Sequence, residues 1–461
     1  MQFEYLERIL FYPDVSIRKV LKRFDETAVH TEGKGFAIII NNHGKCLGVV
    51  SDGDIRGKLL QDISLDSPVE IAINKKYVFV FENDSPHQVL RQFDKNIVNL
   101  PVLNSDEKLV DLYQYSKFMV SSRTEQRIIR ARAPVRVSYS GGGMDMSSYI
   151  NKMSAAVLSS TINKYCTASI IIRDDDEIHI TSKDLNLAYT TKNFNEIEYG
   201  DDLDLIKAAV KIMQPDYGFD LETYAEFDPG TGLGGSSAVV VSVLGALNYF
   251  RNERQLDIYQ LSDLAYQVER IDMKIKGGWQ DQYATTFGGF SWIEFRETEV
   301  VVNPLLLQRN IVLELEYNLM LFRLGGNRES SKIQEKYIQK IIHKEKLKSF
   351  SDMIDVAKKM KEALLKGEVK TFADLLHESW LIKQVMNKDV TNEYVENCYS
   401  TARKLGALGG KLLGAGGSGY LLIYASPIYQ KRIKETLAEK GAIQERFKFS
   451  QSGLEVWSTK K

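Results

Sequence analysis

Hydrophobic and polar positions alternate along this chain in two textures. In residues 1–119 a helix-spaced pattern, SIRKVLKRF, precedes the strand-like runs FAIII and CLGVV, and PHQVLRQFD later precedes NIVNLPVL and KLVDLYQY. Each half reads helix, strand, turn, strand, with the turns at NNHGK (41–45) and NSDEK (104–108). The segment therefore predicts two copies of one small α/β unit that share a core. The first copy closes in GVVSDGDIRGKLL, a strand, a tight turn and a helix, with Ser51 and Asp54 at the turn. A carboxylate at such a turn suits a ribose diol, and a neighbouring hydroxyl can bond a nucleotide. The same pair also suits a helix N-cap with Asp54 on the first turn.

The polar stretch SSRTEQ (121–126) reads as a linker. Beyond it, IIRARAPVRVSYSGGGMD predicts two strand pieces and a glycine loop, and β-rich segments then alternate with helical patterns to about residue 300. Residues 329–406 are mostly helical in pattern, as in SSKIQEKYIQKIIHKEKL and SDMIDVAKKMKEALLKG. GGKLLGAGGSGYLLIYAS then feeds a glycine loop into a buried strand, before a helix and a last strand. The expected fold class is α+β: a two-lobed unit with lobes at 127–305 and 306–461, preceded by the small α/β pair at 1–120.

Length and charge narrow the function. The 461 residues suffice for about three domain-sized cores. With 44% hydrophobic and 26% charged residues the composition is that of a globular protein, and the net charge of −1 supplies no basic field for nucleic acid or anionic lipid. Apolar runs are too short to span a bilayer, and the start, MQFEYLERILFYPD, lacks a signal-peptide pattern. Cys46, Cys166 and Cys398 are far apart and form neither a disulfide framework nor a metal cage. A cytoplasmic location is expected, with neither nucleic acid nor membrane as a partner.

Candidate chemistry concentrates in three glycine loops. In DPGTGLGGSSAVVVS (228–242), Gly230, Gly232, Gly234 and Gly235 precede Ser236, Ser237 and an apolar helix. Side-chain-poor backbone at a helix start lets a polyphosphate approach N–H groups that lack intrahelical partners. A serine hydroxyl there can also hold Mg²⁺. The loop is not a Walker motif, and GALGGKLLG (406–414) fails that pattern because Leu412 follows Lys411. No G-x-G-x-x-G opens a Rossmann unit with an acidic partner, and neither a metal-type Cys/His spacing nor a nucleophile elbow is present. In GGWQDQYATTFGG (277–289), Asp281 lies between two glutamines and reads as a proton acceptor or orienter of a hydroxyl, or as a loop cap. In PVRVSYSGGGMD (134–145), Arg136 and Asp145 bracket a glycine loop, and Asp145 can bond a polyol. Glu269, in YQVER, reads as an Mg²⁺ carboxylate or as a solvated helix residue.

Taken in order, PVRVSYSGGGMD, DPGTGLGGSSA and KLLGAGGSG resemble the three motifs of the GHMP kinases over essentially all of residues 127–461. RAPVRVSYSGGGMDMSSY, GGWQDQYATTFGGFSWIEF, LLHESWLIKQ and ALGGKLLGAGGSGYLL resemble most closely the D-glycero-D-manno-heptose 7-phosphate kinase branch. The resemblance implies an ATP-dependent sugar kinase acting at an anomeric hydroxyl, with ATP and Mg²⁺, in nucleotide-sugar and surface-glycan synthesis. It implies that the loop from Gly230 to Ser237, Leu233 included, cradles the ATP phosphates. Ser236 or Ser237 with Glu269 would hold Mg²⁺. Asp281 matches the catalytic aspartate, Arg136 the arginine beside the reacting hydroxyl, and Asp145, with Gly142 and Gly143, the sugar-binding loop. Gly414 to Gly419, with Gly416 and Gly417, would shape the floor beneath the transferred group.

The chain departs from that branch at Met144, Gly235, Ser418 and Arg323-Leu324-Gly325. Met144 and Arg323 are expected to face the sugar. In GGNRESSKIQ (325–334), Arg328 and Ser330 are expected either to bind a second anion, the distal phosphate of a sugar phosphate, or to cap a surface helix. Residues 1–120 resemble a CBS-domain pair, which implies an adenine-nucleotide site at Ser51 and Asp54 and a homodimer. The second copy has Gln114 and Lys117 at the matching places, so at most one good site is expected. The alternatives are a kinase for another sugar or sugar phosphate, and a non-catalytic nucleotide sensor of the same fold.

Overall fold

The structure, a computed structural model, describes the chain except residues 1–5, 28–30, 32–34, 85–87, 90, 95–96, 116–117, 119–126, 147–149, 151–154, 174, 251–254, 326–346 and 461. It divides into two compact units, Met1–Gln126 and Arg127–Lys461.

In the first unit the doubled pattern becomes two three-stranded sheets. One joins Leu10–Phe11, Phe36–Ile40 and Cys46–Ser51; the other joins Val80–Phe81, Asn99–Leu103 and Leu109–Gln114. Each middle strand pairs parallel with the short strand and antiparallel with the last. Each also shifts register near its end, at Ile39/Ile40 and at Val102/Leu103. The turns are built alike: the Asn41 side chain accepts N–H bonds from His43 and Lys45, and Asn104 those from Asp106 and Lys108. They also meet, since the Cys46 N–H donates to the Glu107 carbonyl at 3.1 Å and the Leu109 N–H to that of Gly44 at 3.2 Å. Leu6, Ile9, Ile38 and Cys46 share one apolar cluster with Leu103 and Leu112, so neither copy buries its face alone.

Ser51 caps the helix Asp52–Leu59. Its hydroxyl accepts the Asp54 N–H at 3.2 Å, while the Asp54 carboxylate accepts the Ser51 N–H at 2.8 Å and hydroxyl at 2.6 Å. The capping alternative is thus realised: the carboxylate expected to meet a ribose is engaged within its own turn. In the second copy Gln114 is buried, and Lys117 lies outside the described residues.

The second unit holds a nine-stranded and a four-stranded sheet. Two long antiparallel strands, Arg127–Ser140 and Ala155–Ile172, are the spine of the larger sheet. Residues 155–162 are buried without interruption, and burial then falls into the near-alternation of a one-sided sheet. Phe449–Ser450 and Glu455–Lys460 pair back onto these strands. The lobe expected at 306–461 therefore gives its end to the sheet of the lobe before it. The smaller sheet runs Gly409–Leu412, Gly419–Tyr424, Leu319–Leu324, Ile443–Glu445, antiparallel throughout.

The helix Gly235–Asn248 is apolar around nearly its whole circumference, which a surface helix is not, and it is buried accordingly. Val240, Val241, Val243, Leu244 and Leu247 are each at most 1% exposed, each worth about 1.5–3 kcal/mol of burial. That anchorage fixes the start of the helix, and with it the glycine loop. Further helices are Leu347–Lys366, Val369–Met386 and Glu393–Lys404; residues 329–346 of the expected helical stretch lie outside the described residues. Among the described residues no helix is long and apolar enough to cross a membrane. Cys46, Cys166 and Cys398 are buried and unpaired.

Asp54→Ala removes the reciprocal half of the cap, and is expected to lower the hydrogen-exchange protection of Asp52–Leu59 by about 1 kcal/mol. Unchanged protection would show that the box contributes nothing to the stability of this helix.

Candidate active site

The three glycine loops, far apart in sequence, converge on one arginine. Arg136 sits in the strand Arg127–Ser140, and its backbone N–H donates to the Leu233 carbonyl at 2.8 Å. Its guanidinium reaches three further atoms: Nη1 donates to the Gly232 carbonyl at 2.6 Å, Nε to Asp281 Oδ1 at 2.7 Å and Nη2 to Asp281 Oδ2 at 2.8 Å. The last two bonds form the bidentate fork that suits a carboxylate. Asp281 stands in the first turn of the helix Gln280–Phe287. The glycine loop at 413–419 closes against the one at 230–235: the Tyr420 N–H donates to the Thr231 carbonyl at 3.2 Å, and a Cβ on Gly414 would overlap the Gly232 backbone. Gly414 also has φ +69°, so glycine is required there twice over.

Beside Asp281 opens a cavity lined by Ser138, Gly142, Gly143, Asp145, Gly278, Gln280, Gly414 and Ala415, among others. Asp145 is held by the Gly143 N–H on one oxygen and the Gln280 N–H on the other, each at 2.9 Å. Burial, with Asp281 nearby, pushes the Asp145 carboxyl above the usual range, while those two N–H groups pull it back. Such a group accepts hydrogen bonds from a sugar when ionised and donates one when protonated. The Gln280 side chain spans the cavity wall, accepting from Ser138 at 3.0 Å and donating to Asp281 at 3.3 Å.

On the other side of the fork lies the helix start. Gly234, at φ +75°, turns the chain into the helix Gly235–Asn248, and the first helical bond is that of the Ala238 N–H to the Gly234 carbonyl. The N–H groups of residues 235–237 precede it, an arrangement suited to phosphate oxygens. Both serine hydroxyls donate to Glu269: Ser236 to one oxygen, and Ser237 to the other at 2.5 Å. Gln282 donates to the same carboxylate, and Arg270 Nη1 stands 3.8 Å from it. Glu269 is wholly buried, so the solvated reading of this residue is corrected: its helix ends in a π-turn, Gln267–Asp272, that delivers it to the serines. Among the described residues no three His, Cys, Asp or Glu side chains gather as a metal cage. One carboxylate and two hydroxyls are nonetheless a hard, all-oxygen donor set of the kind that holds Mg²⁺ together with phosphates and water.

The structure thus brings together Arg136, Asp145, Gly142, Gly143, Gly230 to Ser237, Glu269 and Asp281. Other expectations change. Gly416 and Gly417 do not line the cavity: Gly416 is pressed against Val390, and the Gly417 N–H donates to the Val390 carbonyl at 3.0 Å, so Gly414 and Ala415 form that wall instead. Met144 does not face the sugar site either; it is fully buried in an apolar cluster with Val157, Tyr283 and Met353. Arg323 pairs with Asp228 and lines a separate cavity with Pro229, Gly230 and Thr231. Arg328 and Ser330 lie outside the described residues. Sequence reasoning missed Ser138, Arg270 and Lys383, which line the cavity. It also missed Lys411, whose buried Nζ donates to the Tyr139 carbonyl at 2.9 Å.

Both units match known families. The model described as GHMP kinases N terminal domain matches residues 204–289, GHMP kinases C terminal matches 360–443, and CBS domain matches 8–61 and 69–112. A D-glycero-alpha-D-manno-heptose 7-phosphate kinase of Campylobacter jejuni is 36% identical over 342 residues, 72% of this chain and 99% of the relative. A bifunctional fucokinase/GDP-fucose pyrophosphorylase of Arabidopsis thaliana is 27% identical over 68% of this chain, which spans 32% of that protein. A crystal structure of a D-glycero-D-manno-heptose 1-phosphate kinase from Bacteroides thetaiotaomicron has a TM-score of 0.60 at 29% identity, covering 71% of this chain and 98% of that one.

Gly414→Ala strains a left-handed backbone and forces the loops at 413–419 and 230–235 apart. It is expected to reduce kcat/KM at least about tenfold, at a stability cost of about 1–3 kcal/mol. Steady-state kinetics with a thermal melt check this, and wild-type kinetics in the variant would show that the contact does not shape the site.

Proposed function

Because the chain belongs to the GHMP kinases, we propose that it transfers the γ-phosphoryl group of ATP to the anomeric hydroxyl of a sugar phosphate of the D-glycero-D-manno-heptose 7-phosphate class, yielding the 1,7-bisphosphate for nucleotide-sugar and surface-glycan synthesis. The observation that carries this reading is the Arg136–Asp281 fork, set between a helix-start loop fit for phosphates and a cavity fit for a polyol.

Phosphoryl transfer asks the protein for position and charge stabilisation more than for covalent chemistry. The backbone of Gly230 to Ser237 takes the phosphates. Bound Mg²⁺ supplies charge neutralisation there, and Ser236, Ser237 and Glu269 are the groups that would hold it. Asp145 and the Gly142–Gly143 backbone bind and orient the sugar. Asp281 accepts the hydrogen bond of the anomeric hydroxyl on the cavity side and takes its proton as the new P–O bond forms and the bond to ADP breaks. Arg136 fixes the Asp281 carboxylate from behind and offsets the negative charge that grows on the acceptor oxygen.

In this reading the first unit takes an adenine nucleotide at Ser51 and Asp54 and supports a homodimer. A ribose hydroxyl there must compete with Ser51 for the Asp54 carboxylate. Three buried, unpaired thiols fit a reducing, cytoplasmic setting.

A coupled ADP-release assay tests the reaction. Heptose 7-phosphate is expected to support turnover better than hexoses or hexose phosphates. Asp281→Asn keeps a polar group of the same shape against Arg136, whose side chain is 6% exposed. It is expected to lower kcat about 100-fold or more with little change in KM for ATP. An unchanged kcat would remove Asp281 from the mechanism, and no ADP release with heptose 7-phosphate would remove the substrate.

A further inference from the structure

Three of the side chains that line the acceptor cavity, Arg136, Arg270 and Lys383, are basic, and one of them, Arg270, also stands 3.8 Å from Glu269. Two carboxylates, Asp145 and Asp281, line the cavity with them. Arg136 and Asp281 are committed to each other. None of Gly230 to Ser237 lines this cavity, nor does Glu269, so the other two cations stand on the acceptor's side of the site and not in the phosphate loop.

Both are fixed in place. Arg270 follows Glu269 in the π-turn, and its side chain is 9% exposed. Its Nε donates to the Gly278 carbonyl at 3.2 Å. A Cβ on Gly277 would stand 2.6 Å from its Cζ, so the glycine leaves room for the guanidinium to lie along the loop. Lys383 projects from the helix Val369–Met386, one turn beyond Ser379, whose hydroxyl donates to the Tyr139 carbonyl at 3.2 Å. The Lys383 Nζ donates to the Gly414 carbonyl at 2.7 Å. One cation is thereby tied to the loop before Asp281, the other to the floor of the cavity. A planar fork and a point charge lining one cavity are a combination suited to a phosphate monoester.

We propose that Arg270 and Lys383 form a subsite for the phosphate that the acceptor already carries, so that the chain selects a sugar phosphate over the free sugar. The inference rests on the sugar-kinase reading above and deepens it. In a heptose 7-phosphate the anomeric hydroxyl and the phosphate are at opposite ends of the carbon chain. Asp145 then binds the hydroxyls between a reacting end at Asp281 and a clamped end at the two cations.

The test is calorimetric binding to the full chain, without ATP, of D-glycero-D-manno-heptose 7-phosphate and of the unphosphorylated heptose. The wild type is expected to bind the phosphate ester more tightly. Lys383→Gln is expected to shrink that preference about 10- to 100-fold, the size of a lost charge-assisted contact. Arg270→Gln should do the same, and Arg270→Lys, which keeps the charge without the fork, should lose less. Circular dichroism controls for the fold, because Arg270 adjoins buried Glu269; the Lys383 variant keeps the test open if the Arg270 variants do not fold. Equal losses for both ligands, or a preference that survives Lys383→Gln, would overturn the subsite while ADP release with heptose 7-phosphate still upheld the kinase. A wild type that neither binds nor phosphorylates heptose 7-phosphate would overturn the reading beneath it.

Discussion

The guanidinium of Arg136 is the joint on which the site is built. It sits on a long strand inside the larger sheet, so its backbone is as rigid as the fold allows. From there it grips the phosphate loop at Gly232 and both oxygens of Asp281. Gly234 is open enough for this: a Cβ there would stand 3.2 Å from Arg136 Cγ and 3.4 Å from Asp281 Cγ. Lysine could not replace it, since one ammonium cannot give a carboxylate two parallel bonds in fixed geometry. A largely buried ion pair of this kind is a weak source of stability, because desolvation opposes the Coulomb gain. What it secures is register: donor loop, acceptor carboxylate and cavity floor keep one spacing.

Glu269 is the second such device. A buried carboxylate is costly unless its lone pairs are satisfied, and this one is met by Ser236, Ser237 and Gln282, with Arg270 nearby. The apolar helix behind the serines cannot shift without exposing its core face, so the hydroxyls are fixed too. The π-turn completes the arrangement, because its wider winding delivers consecutive residues to different tasks: Glu269 to the serines and Arg270 to the acceptor cavity.

This explains what the sequence could and could not reveal. Glycine loops are local, so the phosphate loop, the sugar loop and the doubled first unit could be read from short stretches, and Asp281 stood out between two glutamines. Spacing alone left Glu269 between a metal carboxylate and a solvated helix residue, and only the family resemblance joined it to Ser236 and Ser237, because those partners lie 33 and 32 residues away and a glutamate on a helical pattern is ordinarily solvated. Lys383 reaches Gly414 across 31 residues from the last turn of a helix, with no local signal. Met144 and Arg323 were misjudged for a related reason. Neighbours in sequence need not share a surface: Gly143 and Asp145 line the cavity, while Met144 between them turns into the core.

Lys411 shows the limit on gathering positive charge at one place. It is buried in the strand Gly409–Leu412 that leads to Gly414, and burial, with Lys383 and Arg136 nearby, pushes its ammonium well below the usual lysine range. Its Nζ donates to the Tyr139 carbonyl, just ahead of the Ser140–Gly143 segment that forms the sugar loop. An uncharged amine can make that bond as well as a charged one. A charged Lys411 would add a second ammonium, repelled by that of Lys383 and by the Arg136 guanidinium. Arg136, Arg270 and Lys383 line the cavity, and Lys411 holds the segment behind it.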